Sequence, residues 1–256
     1  MENLNNPAKR VLHLVNQVKT KKDNVPMSVA WGEVFELDTE LVKRDPHEVY
    51  DKLMLVRKEV ELVERLMKQT TFSSNLYQPY LDRVKSTISL TNVSASWNNY
   101  KNKLSTDTIL ALGYCSEILE DEDPVDKEEL EAILSSIQTL RQDIENSSIS
   151  SGMYDFLMSQ LNIIESAIQS YPIVGGAALK KAFSEGFTDL ASRVDDISDG
   201  AENDHEKASN VAKVWGNLRT AAKGIAETDK MANALLGLYE KGQNAAEPLL
   251  DLLSGS

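Results

Sequence analysis

Cysteine and histidine are scarce in this chain: one and three respectively among 256 residues. The single cysteine, Cys115, excludes an internal disulfide and leaves too few soft ligands for a structural zinc site. It lies in the apolar helical run Ile109–Cys115, so we expect a packing residue rather than a nucleophile. His13, His47 and His205 are far apart in sequence. His47-Glu48 and His205-Glu206 each open the His-Glu-x-x-His pattern of zinc proteases. Asp51 and Ser209 stand where the second histidine belongs, and the pattern fails. Glycine-rich sequence is confined to Ile173–Leu179, which has neither a preceding strand nor a Gly-Lys-Ser/Thr sequence. A sharp helix–helix turn is expected there rather than a phosphate cradle. Nucleophile-elbow, dinucleotide and kinase signatures are all missing. No catalytic residue, metal ligand or cofactor-binding residue is assigned, and no cofactor is expected.

Long apolar runs are also lacking. The longest, Tyr171–Leu179, is short and broken by Pro172, Gly175 and Gly176, well under the roughly 18 residues of a membrane span. Met1–Pro7 has no apolar segment of the signal-peptide kind, so a reducing cytoplasm is expected. In that setting the glycosylation sequons at Asn92 and Asn146 carry no weight.

Positive charge is the third deficit. Forty acidic residues face 27 basic ones, a net charge of −13 and a pI near 4.8. Such a surface repels phosphate backbones and anionic lipid, so neither nucleic acid nor membrane is an expected partner. Lys9, Arg10, Lys19, Lys21 and Lys22 form a local basic cluster opposed only by Glu2, which reads as a solvated helix face. The acidic stretch Asp195–Asp204 reads as a solvated linker. Asp195, Asp199, Gly200 and Glu206 match positions 1, 5, 6 and 12 of a calcium-binding loop. Position 3 is Ile197, which has no oxygen to offer, and position 8 is Glu202. Residues 117–131 are dense in acid, yet too dilute overall for a nucleic-acid mimic.

What is present is helical periodicity nearly throughout. Pro7 fits the first turn of a helix carrying Val11, Leu14, Val15 and Val18. Pro26 opens a second, with Val29, Ala30, Val34 and Leu37 on one side. Asp45-Pro46, with Glu48, signals a third start. There Val49, Leu53, Val56, Val60, Val63 and Met67 alternate steps of four and three, a heptad seam on a helix of about 25 residues. Less regular sequence follows, with a helix expected over about Pro79–Leu90 and a loop or short helix at Trp97. Ser105 then caps a helix carrying Ile109, Leu112, Cys115 and Leu119. Asp123-Pro124 starts the next, whose seam is Leu130, Ile133, Ile137, Leu140 and Ile144. After the polar turn Asn146–Gly152 comes Leu157, Leu161, Ile164, Ile168 and Tyr171, so an antiparallel αα-hairpin ended by Pro172 is expected. Val211, Trp215, Leu218, Ala222 and Ile225 form another run. A last helix carries Met231, Leu235 and Leu238, and Pro248 precedes Leu249, Leu250, Leu252 and Leu253.

The expected fold is therefore all-α: a multi-helix bundle with an αα-hairpin and coiled-coil-like seams. Residues 1–122 read as an N-terminal helical region and 123–256 as a C-terminal one that begins with the hairpin (123–172), with one continuous domain as the alternative. The leading functional expectation is a scaffold, regulatory or interaction protein without catalytic activity, an accessory of a larger bacterial or phage assembly. It would act through helical surfaces on a protein partner or on a second copy. Trp31, Trp97 and Trp215 are core residues by their spacing, with interface anchoring as the alternative. A membrane-acting, toxin-like effector is a second expectation, resting on the small-residue segment Ile173–Phe187 and the leucine-rich C-terminus. A helical enzyme with dispersed carboxylates or a metal is a third.

Overall fold

The computed structural model describes residues 4–123, 125–223 and 233, with the backbone alone over 194–205. It is all-α and 76% helical, with eleven α-helices and no strand among the described residues. The chain divides into two compact units: Met1–Glu122 with Pro172–Gly175, and Asp123–Tyr171 with Gly176–Ser256.

In the first unit, α1 (Pro7–Lys19) begins where expected, and for a stated reason. The Asn6 side chain accepts from the Lys9 N–H, and proline takes the first turn, where its missing N–H costs nothing. Asn6 is fully buried and also serves α7 (Thr106–Ile118). Its Nδ2 donates to the Ser116 and Leu119 carbonyls, so one side chain ties the start of one helix to the end of another. The first turn of α2 (Met27–Val34) lacks a side-chain cap. Backbone carbonyls do that work: Met27 N–H donates to Ala95 and Ser28 N–H to Val93, at 2.9 and 2.8 Å.

The short α3 (Thr39–Arg44) is capped by Asp38 and leads into α4 (His47–Met67). That helix has 21 residues rather than about 25. Pro46 precedes it, and Asp45 Oδ1 accepts from His47 N–H, a shift of one position in the expected cap. All six seam residues of α4 are buried, and Glu59 is buried among them. α5 (Gln78–Thr87) is shorter than the expected 79–90, and α6 (Asn98–Lys101) is the single turn beside Trp97. Helix α1 packs on α7 and α4, and α5 packs on α7 and α4. Trp31 and Trp97 are fully buried and meet edge to face at 6.5 Å. The Trp31 indole donates to the Thr87 carbonyl, whereas the Trp97 indole N–H has no partner among the described residues.

The second unit holds α8 (Lys127–Glu145), α9 (Ser151–Val174) as far as Tyr171, α10 (Gly176–Ser192) and α11 (Val194–Ala221). Asp126, not Asp123, caps α8, because its carboxylate reaches the Glu128 N–H. Helix α8 packs on α11, while Arg141 links it to α9 through Glu165 at 2.7 Å. Pro172 does not end α9: it lies inside the helix, which stops at Val174. The proline has no N–H to donate, so the helix runs on to Val174 with that one bond of its ladder missing. The stop is Gly175, at φ 59°, the left-handed conformation that glycine adopts without a Cβ penalty. A sharp turn there is what the Gly175-Gly176 sequence led us to expect.

Helix α11 is a second correction. The stretch Asp195–Asp204, expected as a solvated linker, has a helical backbone. A calcium loop must leave helical geometry to gather its oxygens, so the spacing from Asp195 to Glu206 does not form one. Trp215 on α11 is fully buried against Phe183 and held by Gln160 of α9, whose Oε1 accepts its indole N–H at 3.0 Å. Gly186 makes room, since a Cβ there would sit 2.5 Å from the ring. Ile225, Met231, Leu235, Leu238, Pro248 and the C-terminal leucines lie outside the described residues.

Candidate functional site

The expected basic helix face is not solvated as a unit. Arg10 points inward and is 2% exposed. Its Nε donates to Glu59 Oε1 at 2.7 Å, Nη1 to Glu122 Oε2 at 2.7 Å and Nη2 to Glu122 Oε1 at 3.0 Å. Nη1 also reaches the Leu4 carbonyl at 3.3 Å. Gly175 lies against the guanidinium, and a Cβ there would come within 2.4 Å of Nη1. Arg10 thus neutralises two carboxylates from positions 49 and 112 residues away. Burial pushes the Glu59 carboxyl up to about 7, outweighing the lowering by Arg10, and the negative charge of Glu122 adds to the rise. The same carboxylates hold the Arg10 guanidinium above its ordinary value against the opposing effect of burial. Beside it, Lys9 pairs with Asp121 at 2.7 Å and holds that carboxyl below the usual range. These ion pairs answer internal charge rather than an outside phosphate.

A groove of about 440 Å³ lies between the second half of α1 and the end of α2. His13, Asn16, Gln17, Thr20 and Lys21 line one side, and Glu33, Val34 and Glu36 the other. Gln17 Nε2 lies 3.0 Å from His13 Nε2. Lys21 Nζ reaches the Glu33 carbonyl at 3.4 Å and its carboxylate at 3.7 Å. The end of α2 turns through a tight cap: Phe35 N–H returns to the Trp31 carbonyl and Leu37 N–H to the Gly32 carbonyl. Between them Glu36 stands at φ 59°. This is the position of the helix-ending turn that glycine ordinarily fills, and a glutamate there costs about 1 kcal/mol.

A third feature is an apolar strip on α7. Leu110 and Tyr114, one turn apart, are 53% and 46% exposed, and Phe72 lies 6.0 Å from the Tyr114 ring. Between them Gly113 faces open space. On the opposite side of the same helix Leu112 and Cys115 are fully buried. The run Ile109–Cys115 is apolar all round, and one core cannot take every face of it.

Other residues singled out by sequence are placed as follows. Burial pushes the Cys115 thiol up to about 11, far from a reactive thiolate. His47 is exposed and only grazes Asp51, at 3.9 Å. The side chain of His205 lies outside the described residues. Trp31, Trp97 and Trp215 are all core residues. Among the described residues no three His, Cys, Asp or Glu side chains are grouped to hold a metal ion. Nor is any described helix long and apolar enough to cross a membrane. Arg10 with its two carboxylates, Glu36 and the α7 strip were not identified from sequence. Only the strip had a local signal, in its unbroken apolar run.

No protein-family model matches this chain, and no curated protein or solved structure is significantly similar to it.

Proposed function

We propose that this chain is a binding or scaffolding protein without catalytic activity, and that α7 presents its partner-facing surface. The observation that carries this reading is the exposed pair Leu110 and Tyr114, one helical turn apart on a helix whose other face is packed. Aromatic side chains with aliphatic neighbours anchor helical interfaces. The heptad seams do not compete for the role, since those on α4 and α8 are buried in the protein's own core. The strongly perturbed carboxyls, Glu59 and Glu64, are engaged by Arg10 and by Lys85 and Lys68, which leaves a carboxylate enzyme without a candidate there. A membrane-acting role draws no support from Ile173–Phe187, whose Ile173, Leu179, Phe183 and Phe187 are buried.

The test is a photo-crosslinking amino acid at Gly113, where a side chain meets open space. In cells of origin it should give one discrete protein adduct, lost on Leu110→Asp. The absence of any discrete adduct, with a monomer by light scattering, would refute the reading.

A further inference from the structure

We propose that the α7 strip receives a basic amphipathic helix of a partner protein, two apolar residues meeting Leu110 and Tyr114 and a lysine or arginine reaching Glu117. This rests on the reading of α7 as the partner-facing surface and assigns that partner a chemistry.

Spacing and charge on one face of α7 carry the inference. Asp107, Leu110, Tyr114 and Glu117 step by three, four and three, which sets all four on the same side of the helix. All four are exposed. Asp107 and Glu117 are the only charged residues of α7, so the apolar pair is flanked by acid at both ends and by no base. Neither carboxylate has a hydrogen-bond or ion-pair partner among the described residues. The cations of the first unit do not answer Glu117. Lys9 and Arg10 are taken by Asp121 and Glu122. Arg83 lies over the Tyr80 ring and reaches Ser105, and Lys103 lies over the Tyr100 ring, at the start of α7 rather than at its Glu117 end. An apolar pair beside an unanswered carboxylate complements a helix with apolar anchors and a cation next to them. Phe72, 6.0 Å from the Tyr114 ring, widens the apolar ledge.

Two other occupants fit less well. A two-fold antiparallel pairing of α7 with a second copy would set Leu110 against Tyr114. The same symmetry would set Asp107 against Glu117, and those like charges repel. The net charge of −13 adds to the repulsion. A broad face of a folded domain is also disfavoured. Two half-exposed side chains fall far short of the roughly 800 Å² that each partner gives to a stable interface.

Two alanine-based peptides of about 16 residues, long enough to hold a helix, serve as probes. Both carry leucines four residues apart. One has a lysine three residues outside each leucine, and the other a glutamate in each of those places. The symmetric design offers its charge to Glu117 in either chain direction. In a titration followed by amide chemical shifts of the full chain, the lysine peptide should give saturable shifts at Leu110, Gly113 and Glu117. The glutamate peptide should bind about fivefold more weakly, the effect of one exposed ion pair. Glu117→Lys should reverse the order of the two peptides. That substitution puts a cation in the last turn of the helix, where the dipole favours it, so folding is preserved. Leu110→Asp should weaken both peptides. Equal binding of the two, or an order unchanged in Glu117→Lys, would overturn the partner's charge and leave α7 as a docking face. Saturation by neither peptide below about 5 mM, a weak-binding range, would overturn the inference as a whole, while the Gly113 crosslink decides the α7 reading separately.

Discussion

Arg10→Met tests how the first unit tolerates charge in its core. The side chains of Arg10 and Glu59 are 2% and 3% exposed, and no other cation faces Glu59. Removing one partner of a buried pair costs about 3–5 kcal/mol, because the other is left without an answer to its charge. Here the cost should depend on pH in a direction fixed by Glu59. Burial raises its carboxyl from 4.5 to about 7 in the folded protein. A group whose folded pKa is raised contributes stability that is fully present below pH 4.5 and lost as the pH rises through 7. At pH 6 Glu59 therefore holds its proton in either protein. The variant then loses the contacts to Glu122 and the Leu4 carbonyl and the Nε hydrogen bond to the neutral Glu59 carboxyl, about 2 kcal/mol after allowing for the half-exposed Glu122.

Above neutrality the two proteins part. The native chain ionises Glu59 against Arg10. The variant must keep the proton or bury a bare carboxylate, at up to about 1.4 kcal/mol for each further pH unit. By pH 9 the total should approach about 5 kcal/mol, at the top of the range for a broken buried pair. Denaturant melts at pH 6, 7.5 and 9, followed by the buried Trp31, would read this slope. Adding Glu59→Met should remove the pH dependence and restore most of the stability. An equal loss at pH 6 and pH 9, or a slope that survives Glu59→Met, would refute the reasoning.

Gly175→Ala should destabilise by about 2–3 kcal/mol in a denaturant titration. Its φ of 59° costs a side chain about 1–2 kcal/mol, and the new methyl would meet Arg10 Nη1 at 2.4 Å and Glu122 Oε2 at 2.7 Å. The same methyl at Gly113, which has nothing within 4 Å, should not reproduce the loss. In the second unit, Gln160→Leu should cost about 1–3 kcal/mol, because the buried Trp215 N–H then has no acceptor. Thermal melts with Trp215 emission would show it, and an unperturbed emission maximum would count against the Gln160 contact.

Periodicity made most helices and their buried faces legible. The seam residues of α4 and α8 are in the core because a 3.5-residue repeat leaves them one face to bury. Helix starts were less legible: α8 is capped by Asp126 rather than Asp123, and both are aspartates ahead of an apolar run. The stretch Asp195–Asp204 resembles a linker in sequence because it clusters acids around one glycine. Yet Ala201, Glu202, Glu206 and Lys207 are strong helix formers, and an isolated glycine costs a helix only about 1 kcal/mol. Arg10 was misread for another reason. Its position on α1 is countable, but Glu59 and Glu122 are 49 and 112 residues away, and nothing local reports such pairings. Glu36 is hidden similarly, since its left-handed conformation belongs to a helix-ending turn that sequence ordinarily marks with glycine.

The same physics separates surface available to a partner from surface already committed. A heptad seam is the feature that most suggests coiled-coil association. In this protein its residues on α4 and α8 are no more than 9% exposed, so a partner could reach them only by opening the core. The residues free to meet a partner are those that periodicity places off the seam. On α7 the inward positions Leu112 and Cys115 are fully buried, and a second apolar pair, Leu110 and Tyr114, is turned outward. Charged or polar residues are the default on the solvent side of a packed helix, because apolar side chains gain nothing from water there. Where α7 departs from that default, the departure recurs at Leu110 and Tyr114, four residues apart, which puts both on one face. Isolated exposed leucines such as Leu41 lack that repeat and need no partner to explain them.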